Sequence, residues 1–223
     1  MGQHILAWSG GKDAAFALNR MQEVGDTVHA LWTTVNEGTQ RSSMHGVRRE
    51  LYERQAAAIG LPITVRMLPP EVDNETYQAL VQEEFEELAE DGVQTVSYAD
   101  VHLEGVREYR EGVLNGTGLS GNWPIWGMDT ADLVQQFIQA GFEATVVAVD
   151  GGALDPDILG SAIDEEFLRS LPDEVDPAGE GGEYHTFVTD GPIFDEALEI
   201  TTGETVERTL GETTMYYLDI KMR

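Results

Sequence analysis

Residues 3–8 form an apolar run that stops at Ser9-Gly10-Gly11, and beyond it Ala14, Ala17, Leu18 and Met21 recur at helical spacing. The pattern predicts a strand, a glycine loop and a helix. It then repeats, with strand-like stretches over 27–35, 62–67 and 93–98 alternating with helical ones over 47–59, 75–90 and 103–114. Such alternation predicts an α/β fold in which helices wrap a parallel sheet. A turn-rich loop over 115–122 leads to a short strand over 123–127, and a boundary is expected at Gly127, giving units 1–127 and 128–223. The second unit opens with Asp129 as the N-cap of a helix through Ala140. It continues as a strand over 144–149 and a helix over 158–171. After an acidic Pro/Gly loop come strands over 184–188, 204–210 and 215–220.

Composition narrows the range of functions. The 223 residues carry 41 Asp and Glu against 13 Lys and Arg, a net charge of −28, which argues against binding nucleic acid or anionic membrane through a basic surface. A hydrophobic share of 41% separates the chain from acidic disordered polymers. Acidity with only two lysines, Lys12 and Lys221, is the composition expected of a protein from a high-salt cytoplasm. The start Met1-Gly2-Gln3-His4 has no basic leader, and no apolar stretch approaches the ~20 residues of a membrane span, so the cytoplasm is the expected location. The absence of cysteine excludes disulfides, thiolate zinc sites and a cysteine nucleophile on this chain.

Ser9-Gly10-Gly11-Lys12-Asp13 falls where an α/β sheet presents ligands, at the carboxyl end of a strand and the start of a helix. Glycines admit a phosphate close to the backbone, the helix start offers N–H groups, and Lys12 adds a point charge. A Walker loop would need Gly at Leu6 and Ser or Thr at Asp13, and the dinucleotide fingerprint needs spaced glycines; neither fits. The segment resembles instead the Ser-Gly-Gly-Lys-Asp-Ser pyrophosphate loop of the N-type ATP pyrophosphatases, with Ala14 in place of the last serine. That resemblance implies cleavage of ATP between its α and β phosphates to adenylate a substrate. Asp13 is the expected magnesium ligand, Asp100 a second candidate, and His45 is placed near the nucleotide.

The second concentrated signal is Glu180-Gly181-Gly182-Glu183-Tyr184-His185-Thr186-Phe187. By residue chemistry alone it is either a solvated acidic connector or a loop presenting carboxylates to a cationic or amine ligand. Together with Asp190-Gly191-Pro192-Ile193-Phe194 it resembles the second motif of the diphthine-ammonia ligase family, Glu-Gly-Gly-Glu-Tyr-Glu-Thr-Phe followed by Asp-Gly-Pro-Leu-Phe, with His185 where that pattern has Glu. The resemblance spans the chain and implies an adenine-nucleotide α-hydrolase-like (PP-loop) domain followed by a smaller α/β domain. It implies an ATP- and magnesium-dependent ligase that amidates the diphthine carboxylate of translation elongation factor 2 with ammonia. In that reading Ser9, Gly10, Gly11, Lys12 and Asp13 hold the nucleotide. Glu180, Gly181, Gly182, Glu183, Tyr184 and Thr186 position the substrate, and Lys12, Asp13 and Glu183 are catalytic. Without a cysteine to hydrolyse glutamine, ammonia would come free from solution or from another chain. Another adenylating ligase and a non-catalytic nucleotide sensor stay open as alternatives, and so does the oligomeric state, a homo-oligomer included.

Overall fold

The computed structural model describes residues 3–210 and 213–223; Met1 and Gly2, on which the leaderless start turns, lie outside them. β1 (Gln3–Ala7) leads through the glycine loop into α1 (Lys12–Glu23). There follow β2 (Ala30–Asn36), α2 (Arg49–Ile59), β3 (Ile63–Leu68), α3 (Asn74–Glu90), β4 (Val93–Ser97), α4 (Glu104–Leu114) and β5 (Ser120–Asn122). These five strands pair in parallel in the order β3-β2-β1-β4-β5, as the alternation requires. The chain fills one side of β1 and then crosses to the other, so the strand order reverses between β1 and β4. Ligands of open α/β sheets bind at such a reversal, off the carboxyl ends of the strands.

The second unit holds α5 (Thr130–Gln139), β6 (Glu143–Asp150), α6 (Glu165–Ser170), β7 (Tyr184–Asp190), β8 (Ile200–Leu210) and β9 (Thr213–Met222). Its sheet is antiparallel, in the order β7-β6-β9-β8. Asp129 caps α5 as expected, its carboxylate accepting from Asp132 N–H at 3.0 Å. One hydrophobic core runs through both units. α1 is buried on nearly every side, touching β1 on one flank and β7 on the other. Ala14, Ala15 and Ala17 permit that close approach, and Ala14, 1% exposed, is thereby a core residue.

Two expected elements come out differently. The helix over 158–171 shrinks to a single 3-10 turn, Pro156–Ile158, and the short α6. Between them the backbone joins β6 instead, with Val146 N–H donating to Ser161 O and Ile163 N–H to Ala144 O, both at 2.9 Å. Asp164 then starts α6 afresh by accepting from Glu166 and Phe167 N–H. The strand over 123–127 is a turn. Arg107 stacks over both Trp123 and Trp126, at 4.5 and 4.8 Å, and the fifth parallel strand is the polar Ser120–Asn122 just before it. On α3, the acidic Glu84 is drawn inside: it is 8% exposed and paired with Arg66 at 3.3 Å. Burial raises its pKa.

Candidate functional site

Off the carboxyl ends of β1, β2 and β4 lies a cavity of about 740 Å³. That is the size of a small-molecule site. Ser9, Asp13, His45, Asp100, Glu180, Gly181 and Gly182 line it, so the structure brings the two sequence motifs, 170 residues apart, to one wall. Gly10, Gly11, Lys12, Tyr184 and Thr186 are buried behind that wall, and Glu183 is half-buried there.

The glycine loop is held from both units. Gly10 has φ +73°, in the region glycine favours, and a Cβ there would stand 2.7 Å from Gln55 Oε1. Its carbonyl accepts from Val188 N–H at 2.9 Å and from the Gln55 side-chain amide at 3.0 Å. The same amide donates to Val188 O at 2.7 Å, while Gln55 Oε1 accepts from the Trp8 indole at 2.9 Å. Gln55, fully buried, therefore rivets β1, the loop and β7 with one side chain. Its role goes unpredicted by motif, although a glutamine on the apolar face of Leu51, Tyr52, Ala56 and Ile59 is a visible signal. Gln55→Leu should cost about 2 kcal/mol, because the Trp8 N–H and Val188 carbonyl lose their partners inside the protein. Thermal unfolding of the variant checks this, and an unchanged midpoint would refute the rivet.

Gly11 ends the loop as the N-cap of α1, and a Cβ on it would lie 2.9 Å from His45 Cε1 and 3.1 Å from the Thr186 carbonyl. Lys12 N–H donates to Thr186 Oγ1 at 2.9 Å, so the second motif caps the first motif's helix. The Lys12 ammonium, whose side chain is 3% exposed, sits 3.0 Å from Asp13 Oδ2 and 5.0 Å from the centre of the Tyr184 ring. Asp13 Oδ1 is sequestered and has no hydrogen-bond partner among the described residues. Tyr184 donates to Pro177 O at 2.6 Å, and burial, with Asp13 nearby, pushes its phenol well above its ordinary pKa.

Glu180 reaches across to the loop after β4, where Oε1 accepts from Val101 N–H at 2.7 Å and His102 N–H at 3.3 Å. Burial raises its pKa, and the Asp13 carboxylate adds to the rise. Glu183 turns inward: Oε1 accepts from Asp176 N–H at 3.3 Å, and Oε2 is buried with no partner among the described residues. Asp100 is already neutralised by a two-pronged contact with Arg110 at 2.7 and 2.9 Å, and the Trp123 indole donates to it at 3.2 Å. The second carboxylate near Asp13 is thus Glu180. His45 Nδ1–H donates to the Thr186 carbonyl at 3.1 Å, and burial pushes this imidazole down to about 4.

The loop that carries Ser42–His45 is pinned to the second sheet. Asp219 on β9 accepts from Arg41 and, in two-pronged fashion, from Arg48 at 3.0 and 2.9 Å. Arg41 also donates to Gly46 O at 2.8 Å. These three residues carried no local sequence signal, since their pairing joins positions 171 and 178 apart. Among the described residues no helix is long and apolar enough to cross a membrane, and no three His, Asp or Glu gather into a group able to hold a metal ion.

A glycine loop at the reversal point of a parallel sheet, sealed by a strand from an antiparallel one, defines a two-unit α/β protein of the Rossmann-like class. Residues 2–120 match the family model described as diphthamide synthase N-terminal domain and residues 129–222 the one described as diphthamide synthase C-terminal domain. The chain belongs to that family. It is 27% identical to a diphthine–ammonia ligase of Schizosaccharomyces pombe across 96% of its own length, and it spans only 38% of that longer protein. Diphthine–ammonia ligases of Rattus norvegicus and Danio rerio are each 28% identical over 89% of the chain, which covers 82% and 86% of their lengths.

Proposed function

We propose that this protein is an ATP-dependent ligase that activates the diphthine carboxylate of translation elongation factor 2 as an adenylate and lets ammonia displace AMP from it. The observation that carries this reading is the union of the Ser-Gly-Gly-Lys-Asp loop with the Glu-Gly-Gly-Glu strand around one cavity. Residues 1–127 act as the nucleotide unit and 128–223 as the substrate unit. The first-turn amides of α1, Ser9 and Lys12 receive the phosphates; the ammonium now matched to Asp13 gains a stronger partner in the triphosphate. Asp13 fits a magnesium ion, because its sequestered, unpartnered Oδ1 is a hard oxygen donor; Glu180 is the nearby carboxylate, and Asp100, held by Arg110, is not assigned. Magnesium, when bound, supplies neutralisation of phosphate charge.

A carboxylate oxygen of the substrate attacks the α phosphorus and pyrophosphate leaves. Ammonia then attacks the acyl carbon, a proton is lost, and AMP departs. The protein's part is positioning and electrostatic stabilisation in a site walled off by β7, with Glu180 on the substrate side and Glu183 and Tyr184 supporting the wall from behind. An acidic chain of net charge −28 fits a high-salt cytoplasm as its working medium. Incubation with ATP, magnesium, ammonium and diphthine-bearing factor should yield AMP and pyrophosphate together with amidated factor by mass spectrometry. ADP and phosphate as products would overturn the reading, and tight ATP binding without turnover would replace it with a sensor.

A further inference from the structure

His185 has no task in the reaction above, yet it stands on the cavity wall with its ring packed at a tilt against His45, centroids 4.6 Å apart at 35°. The two rings differ in how they are satisfied. A carbonyl only accepts, so the bond to Thr186 O fixes the His45 proton on Nδ1. His185 Nε2 is sequestered from solvent and has no hydrogen-bond partner among the described residues. An orphan nitrogen of this kind is destabilising unless a ligand completes it.

The surroundings indicate which ligand. The Lys12 charge acts on both rings, a Cβ on Gly11 would lie 2.9 Å from His45 Cε1, and Asp13 and Glu180 line the same cavity as the two histidines. The loop's own donors are partly committed: the ammonium to Asp13, the Lys12 N–H to Thr186 Oγ1. Burial and the nearby Lys12 charge keep both imidazoles neutral, and a neutral ring can carry its proton on Nε2 and donate it. A carboxylate, the residue type at this point of the family pattern, accepts only. Here a donor stands beside the phosphate loop.

We propose that His185 is a phosphate-contacting residue, its Nε2–H donating to a phosphoryl oxygen of ATP or pyrophosphate at the glycine loop, with His45 packed against its ring as the support that holds the ring in place. The inference rests on the ATP-binding part of the proposed function and is independent of the acyl substrate. Calorimetry on the full chain with inorganic pyrophosphate, ATP and AMP tests it. His185→Phe keeps a ring against His45 and deletes the donor, His185→Gln supplies a neutral donor, and His185→Glu supplies only acceptors. Pyrophosphate and ATP should bind about tenfold more weakly to the Phe variant and ~100-fold more weakly to the Glu variant, with the Gln variant close to wild type and AMP little affected. Equal pyrophosphate affinity in wild type and the Phe variant overturns the proposal, and so does equal weakening in Phe and Gln. If the Glu variant does not fold, the Phe and Gln pair decides alone. Pyrophosphate binding that depends on His185, alongside no amidation of the elongation factor, would sink the ligase reading and leave this one standing. AMP production with binding independent of His185 would overturn this proposal and leave the ligase intact.

Discussion

Lys12→Met should lower formation of AMP and pyrophosphate by about 100- to 1,000-fold, the loss expected when a preorganised charge facing developing phosphate charge is deleted. Methionine keeps the stem that packs toward Tyr184, so the variant removes charge with little change in volume. The fold should survive. Asp13 loses its partner, but its side chain is 27% exposed and water takes up part of that loss, leaving about 1 kcal/mol and a drop of roughly 3 °C in Tm. A pyrophosphate-release assay beside a melting curve separates the two effects. Wild-type turnover would show that the ammonium faces only Asp13, and collapse of the fold would show that the pair is chiefly structural.

Asp219→Ala should cost about 3 kcal/mol, because it strips both Arg41 and Arg48 of their shared partner in a contact only 14% exposed on the carboxylate side. Denaturant titration measures that cost. The KM for ATP should rise with it, since Ser42–His45, held by this clamp, line the cavity. The same residue makes an acid signature. Arg48 and Arg41 hold the Asp219 carboxyl far below the ordinary carboxylate range, so the unfolded chain takes up this proton more readily than the folded one. Its contribution is complete above the unfolded value near 4 and fades as pH falls from there toward the depressed folded value. The stability gap between wild type and Asp219→Asn should therefore be constant from pH 8 to about 5 and shrink below pH ~4. A gap that widens on acidification would show that the clamp is not ionic.

How much of this could be read in the chain depended on whether the determining contacts were local. The strand, loop and helix around Ser9–Asp13 were legible because an apolar run, two glycines and a helical period state themselves within twenty residues. The Glu180–Thr186 motif was legible as chemistry, but its partner was not: nothing near Thr186 says that its hydroxyl will cap α1. β5 escaped notice because a three-residue polar edge strand has no hydrophobic alternation to show. Ile158 to Leu171 read as one helix by its apolar spacing, whereas β6 drew residues 160–163 into pairing and Asp164 restarted the helix. Asp100 looked like a free carboxylate at a strand end until α4 folded Arg110 onto it. The Arg41–Arg48–Asp219 clamp and the Gln55 rivet join segments far apart in the chain, and only the tertiary fold reveals such partners.

The bond from Val188 N–H to the Gly10 carbonyl fixes the moment at which the protein becomes competent during its own synthesis. The parallel sheet is complete in sequence once Asn122 has left the ribosome, but the loop then lacks the strand that holds its carbonyl and the threonine that caps its helix. Until β7 has been translated, a nascent chain has the parallel sheet without a finished glycine-loop pocket. A ligand that needs the finished loop meets it only after β7 has emerged.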